Sequence, residues 1–489
     1  MKRFSVNRFY LIALCCTLMM VAGCSSSYQN HDDTALLSVV AISRHGIRSP
    51  TPAAPQYALS LYTQQPAGFP LWPDTGSTAG QLTDKGKQNA TRLGAWYRDF
   101  YAPQGVLPPK GTCPAAGAVY VYADTIQRTL ETAKGYLDGM FQSEATPDCG
   151  IPVIQSDSVT DTNNQDPYIA TAVAGVCTSY KPTGIDTTAD LAAFDAETGG
   201  GTPATLINTY STQLQTLQAV TQCCQPAACE TMANPTPTSC SLLELPNTIN
   251  SAGEVSFAPG SLFDVADTIA ETFELEYAQG MPDTDCAATA GAQCVGWGQI
   301  PLDGLQEMTK LHVLNMVDLT CQLPSFAQVG STNLMWQVVG TMDQTLSGVK
   351  NTKSTEPILA PVGSKFTLFV AHDENIAAIA KFLGGVQWTA EGFAPNDPGP
   401  AGALVFELHR IKQSGDLIVK LYYVIASLDQ MRNGTTLSLE TPPQRIPLAI
   451  PACGGLRDCP YDQFKSFITA HVRQDCLVQT VPGLNINWP

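Results

Sequence analysis

The chain has little positive charge. Its 489 residues include 26 Lys and Arg against 43 Asp and Glu, which gives a formal net charge of −17 at pH 7. So acidic a chain argues against nucleic acid and anionic membrane surfaces as partners, because both attract basic residues. Histidine is scarce as well, with 6 residues that do not cluster with other metal ligands. We therefore expect no metal site and no other cofactor.

Long apolar runs are absent beyond the N-terminus, so no transmembrane helix is expected in the rest of the chain. At the N-terminus, Lys2, Arg3 and Arg8 precede an apolar stretch that extends to Val21. This is the pattern of a signal peptide, which we place over residues 1–23.

The apolar stretch ends in Val21-Ala22-Gly23-Cys24, which is similar to a bacterial lipobox. A lipobox implies that Cys24 carries lipid and begins the mature chain, with residues 24–33 as a flexible tether. The protein would then be exported and anchored in a bacterial envelope, with no other membrane contact. Ser25, where aspartate would favour the inner membrane, favours the outer membrane, facing the periplasm or the surface. The alternative is a soluble secreted protein that is cleaved nearby.

Cysteine is abundant, which indicates an oxidising compartment. Of the 16 cysteines, Cys15 and Cys16 lie in the signal peptide and Cys24 is the lipid site, which leaves 13. Cys286 and Cys294 bracket what resembles an inserted loop and are paired on that ground. The closely spaced group formed by Cys223, Cys224, Cys229 and Cys240 predicts two disulfides of undetermined pairing, or alternatively a zinc site.

The most informative segment is Arg44-His45-Gly46-Ile47-Arg48-Ser49-Pro50. It follows directly on the apolar run 36–42, which predicts a buried strand. A histidine between two arginines at the end of a strand suits attack on phosphorus. The imidazole supplies the nucleophile, and the guanidinium groups bind phosphate oxygens. The alternative for the segment alone is a basic surface loop.

Two further apolar runs end in charged motifs. Residues 118–122 lead into Asp124 and Arg128, and residues 366–370 lead into His372 and Asp373. An open α/β sheet binds its ligands beyond the carboxyl ends of its strands, so these motifs are expected to meet. After His372-Asp373, apolar residues recur at helical spacing, which predicts a helix that ends at Gly384-Gly385. Thr83 is expected to cap another helix.

These motifs, in this order, resemble the histidine acid phosphatases, and within them the bacterial phytases and glucose-1-phosphatases. The resemblance runs from about Leu36 to Cys476. Besides the first motif it rests on five segments: Gln81-Leu82-Thr83 to Gly86, Ala123 to Thr129, Trp297-Gly298, Ala371-His372-Asp373, and Gly402 to Glu407.

The resemblance implies an α/β fold, an open sheet with helices on both faces, and an inserted, mainly helical domain. We place the α/β phosphatase domain at residues 34–177 and 324–489. Residues 178–323, rich in Thr, Ala, Gln and Pro, would form the insertion, with helices around Leu206-Ile207 and 214–220. A monomer is expected.

The resemblance also implies the roles of the motif residues. His45 is the expected nucleophile, which forms a phosphohistidine, and Asp373 is the expected proton donor. Arg44, Arg48, Arg128 and His372 are expected to bind the phosphate, whereas Asp373 at a helix start could instead be a mere cap. The remaining histidines, which match no motif, are expected to be structural or solvated: His31, His312, His409 and His471.

Three disulfides are implied by resemblance to the bacterial phytases: Cys113–Cys149, Cys177–Cys476 and Cys453–Cys459. With these pairs, the Cys286–Cys294 pair and the two disulfides of the Cys223–Cys240 group assigned, Cys321 is left as a thiol.

Substrate choice is the least determined feature. The expected partner is a small phosphate monoester, such as a sugar phosphate or phytate. Thr51 and Asp124 stand where the family lines its pocket. Pro52 replaces a basic residue of the bacterial phytases, and Glu374 replaces their small Ser or Thr. If Glu374 faces the pocket it repels polyphosphates; otherwise it favours the start of a helix. The alternative function is a catalytically silent surface-binding lipoprotein.

Overall fold

The computed structural model describes most of the chain outside the N-terminal region. The described residues are 33–50, 77–142, 149–154, 166, 168–169, 187–197, 203–220, 242–245, 249–250, 256–257, 261–280, 294–295, 300–321, 323–350 and 357–478.

The strands are β1 (Thr34–Arg44), β2 (Val119–Ala123), β3 (Val153–Ile154), β4 (Ile249–Asn250), β5 (Ser256–Phe257), β6 (Cys294–Val295), β7 (Ile300–Pro301), β8 (Phe366–Ala371), β9 (Ala403–Ile411), β10 (Leu417–Ile425), β11 (Gln444–Leu448) and β12 (Asp458–Pro460). The helices are α1 (Asp84–Tyr101), α2 (Gln127–Phe141), α3 (Thr187–Glu197), α4 (Pro203–Thr209), α5 (Ser211–Val220), α6 (Leu262–Gln279), α7 (Leu302–His312), α8 (Pro324–Ser347), α9 (Asp373–Phe382), α10 (Leu428–Asn433) and α11 (Tyr461–His471).

The main sheet has the order β11-β10-β9-β1-β8-β2-β3, with β12 paired to β10. The half formed by β1, β8, β2 and β3 is parallel, and the half from β9 onward is antiparallel. The strands β1, β2 and β8 are the three predicted from apolar runs. β2 and β8 are buried throughout and β1 is buried from Ser38 onward, which explains why those runs do not alternate with polar residues.

Helices cover both faces of this sheet. Successive residues of a strand point to opposite faces, and β9 shows the result at two neighbouring positions. Phe406 packs against Phe464 of α11, with ring centroids 6.0 Å apart. Glu407 accepts a 2.6 Å hydrogen bond from the hydroxyl of Tyr101 of α1. The predicted α/β architecture is therefore confirmed.

The two helices predicted beside the motifs are present. Thr83 caps α1, its side chain accepting from the backbone N–H of Gly86. Helix α9 begins directly after His372, and Gly384 and Gly385 follow its end with positive φ. An L side chain is strained in that conformation, which explains why glycine stands where the helix stops.

Helices α3 to α7 lie between β3 and β8, and α4 and α5 coincide with the two amphipathic stretches expected there. The domain limits at 178 and 323 remain predictions. Helix α6 is buried over most of its length, so it lies among other elements rather than on a surface. Helix α7 continues into a π-helix, Val313–Cys321, a distortion often found near functional sites.

The structure contains two of the predicted disulfides, Cys113–Cys149 and Cys453–Cys459. Cys476 is also disulfide-bonded, but its predicted partner Cys177 lies outside the described residues. Cys321 is a buried thiol, as expected. Several predicted features lie outside the described residues: Cys24, Cys223, Cys224, Cys229, Cys240, Cys286, residues 24–32 of the tether, His31, Pro52 and Trp297-Gly298. Cys294 is described only as part of β6.

Within the described part of the chain, every helix is too short or too polar to cross a bilayer.

Candidate active site

The three predicted motifs meet at one edge of the sheet. Because β1, β8 and β2 are parallel neighbours, their carboxyl ends lie side by side. The backbone N–H of His45 donates to the carbonyl of Ala371 (2.9 Å), and that of Asp124 donates to Val370 (3.2 Å). These bonds tie the segments after β1 and β2 to the end of β8.

The loop after β1 is fixed by close packing against α1 and α2. The backbone N–H of Gly46 donates to the hydroxyl of Thr132 of α2 (2.9 Å). The backbone N–H of Thr83 donates to the carbonyl of Ile47 (3.0 Å). A Cβ at Gly86 would lie 2.3 Å from that same carbonyl oxygen, so only glycine lets α1 approach the loop this closely.

The ring of His45 is held in one orientation. Its side chain is almost fully buried, and its Nδ1 lies 2.9 Å from the carbonyl oxygen of Gly46. A carbonyl can only accept, so Nδ1 carries the proton and Nε2 carries the lone pair. The pKa of His45 is lowered well below its usual value by burial and by Arg128, Arg44, His372 and Arg48. His45 is therefore a neutral base or nucleophile, even in acid.

His372 lies beside His45, with ring centroids 5.6 Å apart in an edge-on arrangement. Its Nε2 is 2.7 Å from a carboxylate oxygen of Asp124, which is fully buried. An ionised carboxylate accepts, so His372 donates from Nε2 and its orientation is set by Asp124. Asp124, expected to line the pocket, thus orients the second histidine.

Arg44 and Arg48 share a counter-ion that the sequence did not indicate, Glu271 of α6. Arg48 donates to both oxygens of Glu271, at 2.8 and 2.7 Å. Arg44, fully buried, donates to Glu271 and to the carbonyl of Pro398. Although burial alone would raise the pKa of Glu271, Arg48 and Arg44 lower it, so the carboxylate is ionised.

Asp373 forms an ion pair with Arg44, at 2.8 Å between Oδ2 and the guanidinium. Its Oδ1 accepts a 2.9 Å hydrogen bond from the backbone N–H of Glu374. Burial favours the neutral acid, but Arg44, His45 and His312 lower the pKa of Asp373 far below its usual range. The expected proton donor is therefore ionised in this state. The cap of α9 is His372, and Asp373 is the first residue of the helix and belongs to the charged cluster, so Asp373 is not merely a cap.

Arg128, at the start of α2, is half-buried. Burial and the neighbouring Arg48 lower its pKa, and Asp373, Asp124 and Glu271 oppose this. Arg128 therefore lies within the same charged cluster and is not a surface arginine. Glu374 is half-buried in the first turn of α9, where a carboxylate is favourable. Thr51 lies outside the described residues.

His312 and the helix α6 were missed by the sequence-based interpretation. His312 was expected to be structural or solvated, but packing of α7 against α6 buries it beside the site. Its Nδ1 lies 2.5 Å from a carboxylate oxygen of Asp267 of α6. Nitrogen and carboxylate atoms of His312, Glu271 and Asp373 lie within 4.8 Å of one another.

A signal for α6 was present in the sequence. Asp267, Glu271 and Glu274 recur at i, i+4 and i+7 and therefore share one face of α6, whereas Glu276 lies on another. Three carboxylates on one face of a helix that is buried nearly throughout predict a cationic partner, because buried carboxylates are rarely left uncompensated. Of the other histidines, His409 is buried against Glu407 and His471 is exposed, as expected.

Comparison with known proteins agrees with this geometry. Residues 35–197 match the family model of the histidine phosphatase superfamily (branch 2). A curated protein, the phytase AppA of Escherichia coli, is 30% identical over 432 residues, which cover 88% of this chain and 89% of that protein. The chain belongs to the histidine phosphatase superfamily, branch 2.

Other relatives support the same assignment. The glucose-1-phosphatase of Salmonella typhimurium is 26% identical over 433 residues, which cover 88% of this phosphatase and 91% of that protein. The phytase of Hafnia alvei, solved in complex with tartrate, superimposes with a TM-score of 0.72 at 28% identity, covering 92% of this phosphatase and all of that chain. The protein is therefore a histidine acid phosphatase, and phosphate monoesters are the substrates that fit its family.

Proposed function

We propose that this phosphatase works through a covalent phosphohistidine at His45. The observation that supports this most strongly is the ring geometry of His45. Its Nδ1 proton is committed to Gly46, and burial together with the neighbouring arginines disfavours the imidazolium. Nε2 then attacks phosphorus, the P–N bond forms, and the bond to the leaving oxygen breaks.

The cations around His45 stabilise the transferring group. Arg48 and Arg128 bind its equatorial oxygens, and His372, oriented by Asp124, lies beside His45 as a further contact for the group. Arg44 contributes positive charge while its guanidinium is held in place by ion pairs with Asp373 and Glu271. Because the donors are fixed by buried contacts, little reorganisation is needed as charge develops.

Asp373 protonates the leaving oxygen and then accepts a proton from the water that hydrolyses the phosphohistidine. It must first acquire a proton, since Arg44 keeps it ionised in the resting site. A bound phosphate dianion competes for Arg44, which raises the proton affinity of Asp373 during the reaction.

A sugar phosphate is the preferred substrate in this proposal. Pro52 stands where the bacterial phytases have a basic residue, and the loss of that residue disfavours phytate; Glu374 adds to this only if it faces the pocket. The test is phosphate release from phytate, glucose 1-phosphate, nucleotides and p-nitrophenyl phosphate. We expect the highest kcat/KM among the natural esters for a sugar monophosphate. A clear preference for phytate would contradict this assignment, and failure to hydrolyse any ester would support the silent-lipoprotein alternative.

Catalysis is proposed to need no metal. Glu271, His312 and Asp373 could form a cation site by distance alone. However, Arg48 and Arg44 neutralise Glu271, Arg44 also neutralises Asp373, and Asp267 holds a proton on His312. A divalent cation would have to displace these groups, so the chemistry of the cluster disfavours it.

EDTA is therefore expected to leave kcat and KM unchanged, within about twofold. The measurement is phosphate release after prolonged dialysis against the chelator, with the metal content of the protein determined in parallel. Loss of activity that added zinc or magnesium restores would overturn the proposal.

We also propose that Cys24 anchors the protein to a bacterial envelope. The support is the signal-like N-terminus and the lipobox-like Val21-Ala22-Gly23-Cys24. Diacyl modification would give stable membrane attachment.

Cys24→Ser is expected to move the phosphatase from the membrane fraction to the soluble exported fraction with unchanged kcat/KM. Fractionation of cells that express each form, with activity assayed in both fractions, checks this. Cys321→Ser is a control for the loss of a thiol elsewhere in the chain. Unchanged membrane fractionation of the Cys24→Ser form would refute the anchor.

A further inference from the structure

The leaving-group proton has no evident source in the mechanism above. Asp373 is paired with Arg44 at 2.8 Å and is ionised before the substrate binds. An alkoxide leaving group nevertheless needs a proton in the transition state. A protonated buried group close to Asp373 can supply that proton.

His312 is built to hold a proton. Its side chain is 1% exposed, and its Nδ1 donates to Asp267 at 2.5 Å. The other oxygen of Asp267 accepts a 2.6 Å hydrogen bond from Asn315, which fixes the carboxylate. Among the described residues, Nε2 of His312 is buried without a hydrogen-bond partner. A buried polar atom without a partner is costly and usually marks a function.

The position of His312 matches this role. A ring nitrogen of His312 and a carboxylate oxygen of Asp373 lie within 4.8 Å, yet they make no direct hydrogen bond. One oxygen atom with hydrogen bonds of about 2.8 Å to each side can bridge such a gap. A water molecule there would connect the two groups.

From this geometry, and on the basis of the function proposed above, we propose that His312, held by Asp267, stores the proton that Asp373 delivers to the leaving group.

Each half-reaction balances. In the first, the N–H bond of His312 breaks and Asp373 gains a proton through the bridging water. Asp373 passes it to the leaving oxygen as the P–O bond breaks and the P–N bond to His45 forms. In the second, water attacks phosphorus, and the new P–O bond forms as the P–N bond breaks and its electron pair returns to Nε2 of His45. The proton of the water passes to Asp373 and then to His312, and phosphate is released.

The surroundings of His312 keep it charged. The ionisable groups that interact with it are Asp267, Glu271 and Glu274 of α6, Asp373 of α9, and Asp397 before β9, with Arg44 bound to two of them. Burial alone would lower the pKa of His312, but Asp267, with Glu271 and Asp397, raises it to about 10. His312 is therefore protonated throughout the acid and neutral pH range.

The proposal bears on substrate class. A stored proton helps only leaving groups that are poor without it, such as the alkoxides of sugars and other alcohols. Aryl esters with good leaving groups do not need it. His312 and Asp267 thus adapt the site to alkyl phosphates, and His312 is a positioning residue for the proton rather than a group that touches the substrate.

His312→Asn tests this directly. We expect kcat on glycerol 2-phosphate and glucose 1-phosphate to fall by about 10²-fold or more, and kcat on p-nitrophenyl phosphate by less than about fivefold. His409→Asn is the matched control, because His409 is also buried and paired with a carboxylate, Glu407 at 2.8 Å, but lies on β9 outside the site. It is expected to leave the ratio of alkyl to aryl rates unchanged.

Asp267→Asn provides an independent readout that a structural role would not move. Removing the carboxylate lowers the pKa of His312, because the charge and hydrogen bond of Asp267 are what raise it, so the proton is lost at lower pH. The alkyl-to-aryl ratio of kcat, in which ionisations common to both substrates cancel, should stay flat with pH in the wild type. In Asp267→Asn it should fall as the pH rises.

The outcomes separate the two proposals. If the wild type hydrolyses neither ester, the proposed function fails. The proposed role of His312 is overturned if two results are found with an active wild type. His312→Asn would change the rates on alkyl and aryl esters by the same factor or not at all, and the alkyl-to-aryl ratio of kcat in Asp267→Asn would not depend on pH. If His312→Asn does not fold, the pH dependence of the ratio in Asp267→Asn decides alone.

Discussion

Replacement of His45 by alanine is expected to lower kcat/KM by about 10⁴-fold or more on every phosphate ester, alkyl or aryl. The reason is that Nε2 of His45 forms the bond to phosphorus, so its loss removes the covalent route for all leaving groups. The fold should survive, because the backbone bonds of His45 to Ala371 and Ala401 do not involve its side chain.

The measurement is steady-state kinetics on glucose 1-phosphate and p-nitrophenyl phosphate, with thermal unfolding as a check on the fold. His409→Ala is the control for loss of a buried imidazole elsewhere. Retention of a tenth of wild-type activity by a folded His45→Ala protein would exclude His45 as the nucleophile.

The second large effect is expected from Asp373→Asn, and it should depend on the leaving group. Alkyl phosphates need the proton that Asp373 delivers, so their rates should fall by about 10²–10⁴-fold. The rate on p-nitrophenyl phosphate should fall much less, provided that formation of the phosphoenzyme limits both reactions. Asn keeps an oxygen that can accept from the backbone N–H of Glu374, so the start of α9 should be preserved.

If hydrolysis of the phosphohistidine becomes limiting instead, the phosphoenzyme should accumulate in Asp373→Asn. Rapid quench of labelled p-nitrophenyl phosphate into alkaline denaturant would then show one labelled histidine, His45. Equal loss on both substrates without accumulation would mean that Asp373 only holds Arg44 in place. In that case Glu374 would be the first alternative donor to test.

The sequence predicted the parts of the site that lie at strand ends. His45, Asp124, His372 and Asp373 each follow a buried apolar run. Parallel neighbouring strands bring such positions together whatever the remaining packing is. Local patterns were therefore sufficient for this half of the site.

The other half depends on tertiary packing between distant helices. Glu271 is separated from Arg48 by more than two hundred residues, and its approach is set by how α6 docks. The same packing places Asp267 opposite His312. The acidic face of α6 could have been recognised from its spacing, but which cations it meets could not.

Charge state was the least predictable property. Arg44, Arg48 and Arg128 were expected to bind phosphate. The direct ion pair between Arg44 and Asp373 shows that Arg44 is committed to carboxylates before phosphate arrives. Whether an arginine pairs with a carboxylate depends on distances of a few ångströms in the folded protein, and these cannot be predicted from the spacing of residues along the chain.

The central claim is that hydrolysis proceeds through two in-line displacements at phosphorus, the first by His45. Transfer of a phosphoryl group made chiral with three oxygen isotopes to an acceptor alcohol tests it most directly in the wild-type enzyme. Each displacement inverts the phosphorus, so a phosphohistidine intermediate predicts net retention of configuration. Net inversion would mean that the acceptor attacks the ester directly, and would contradict the account.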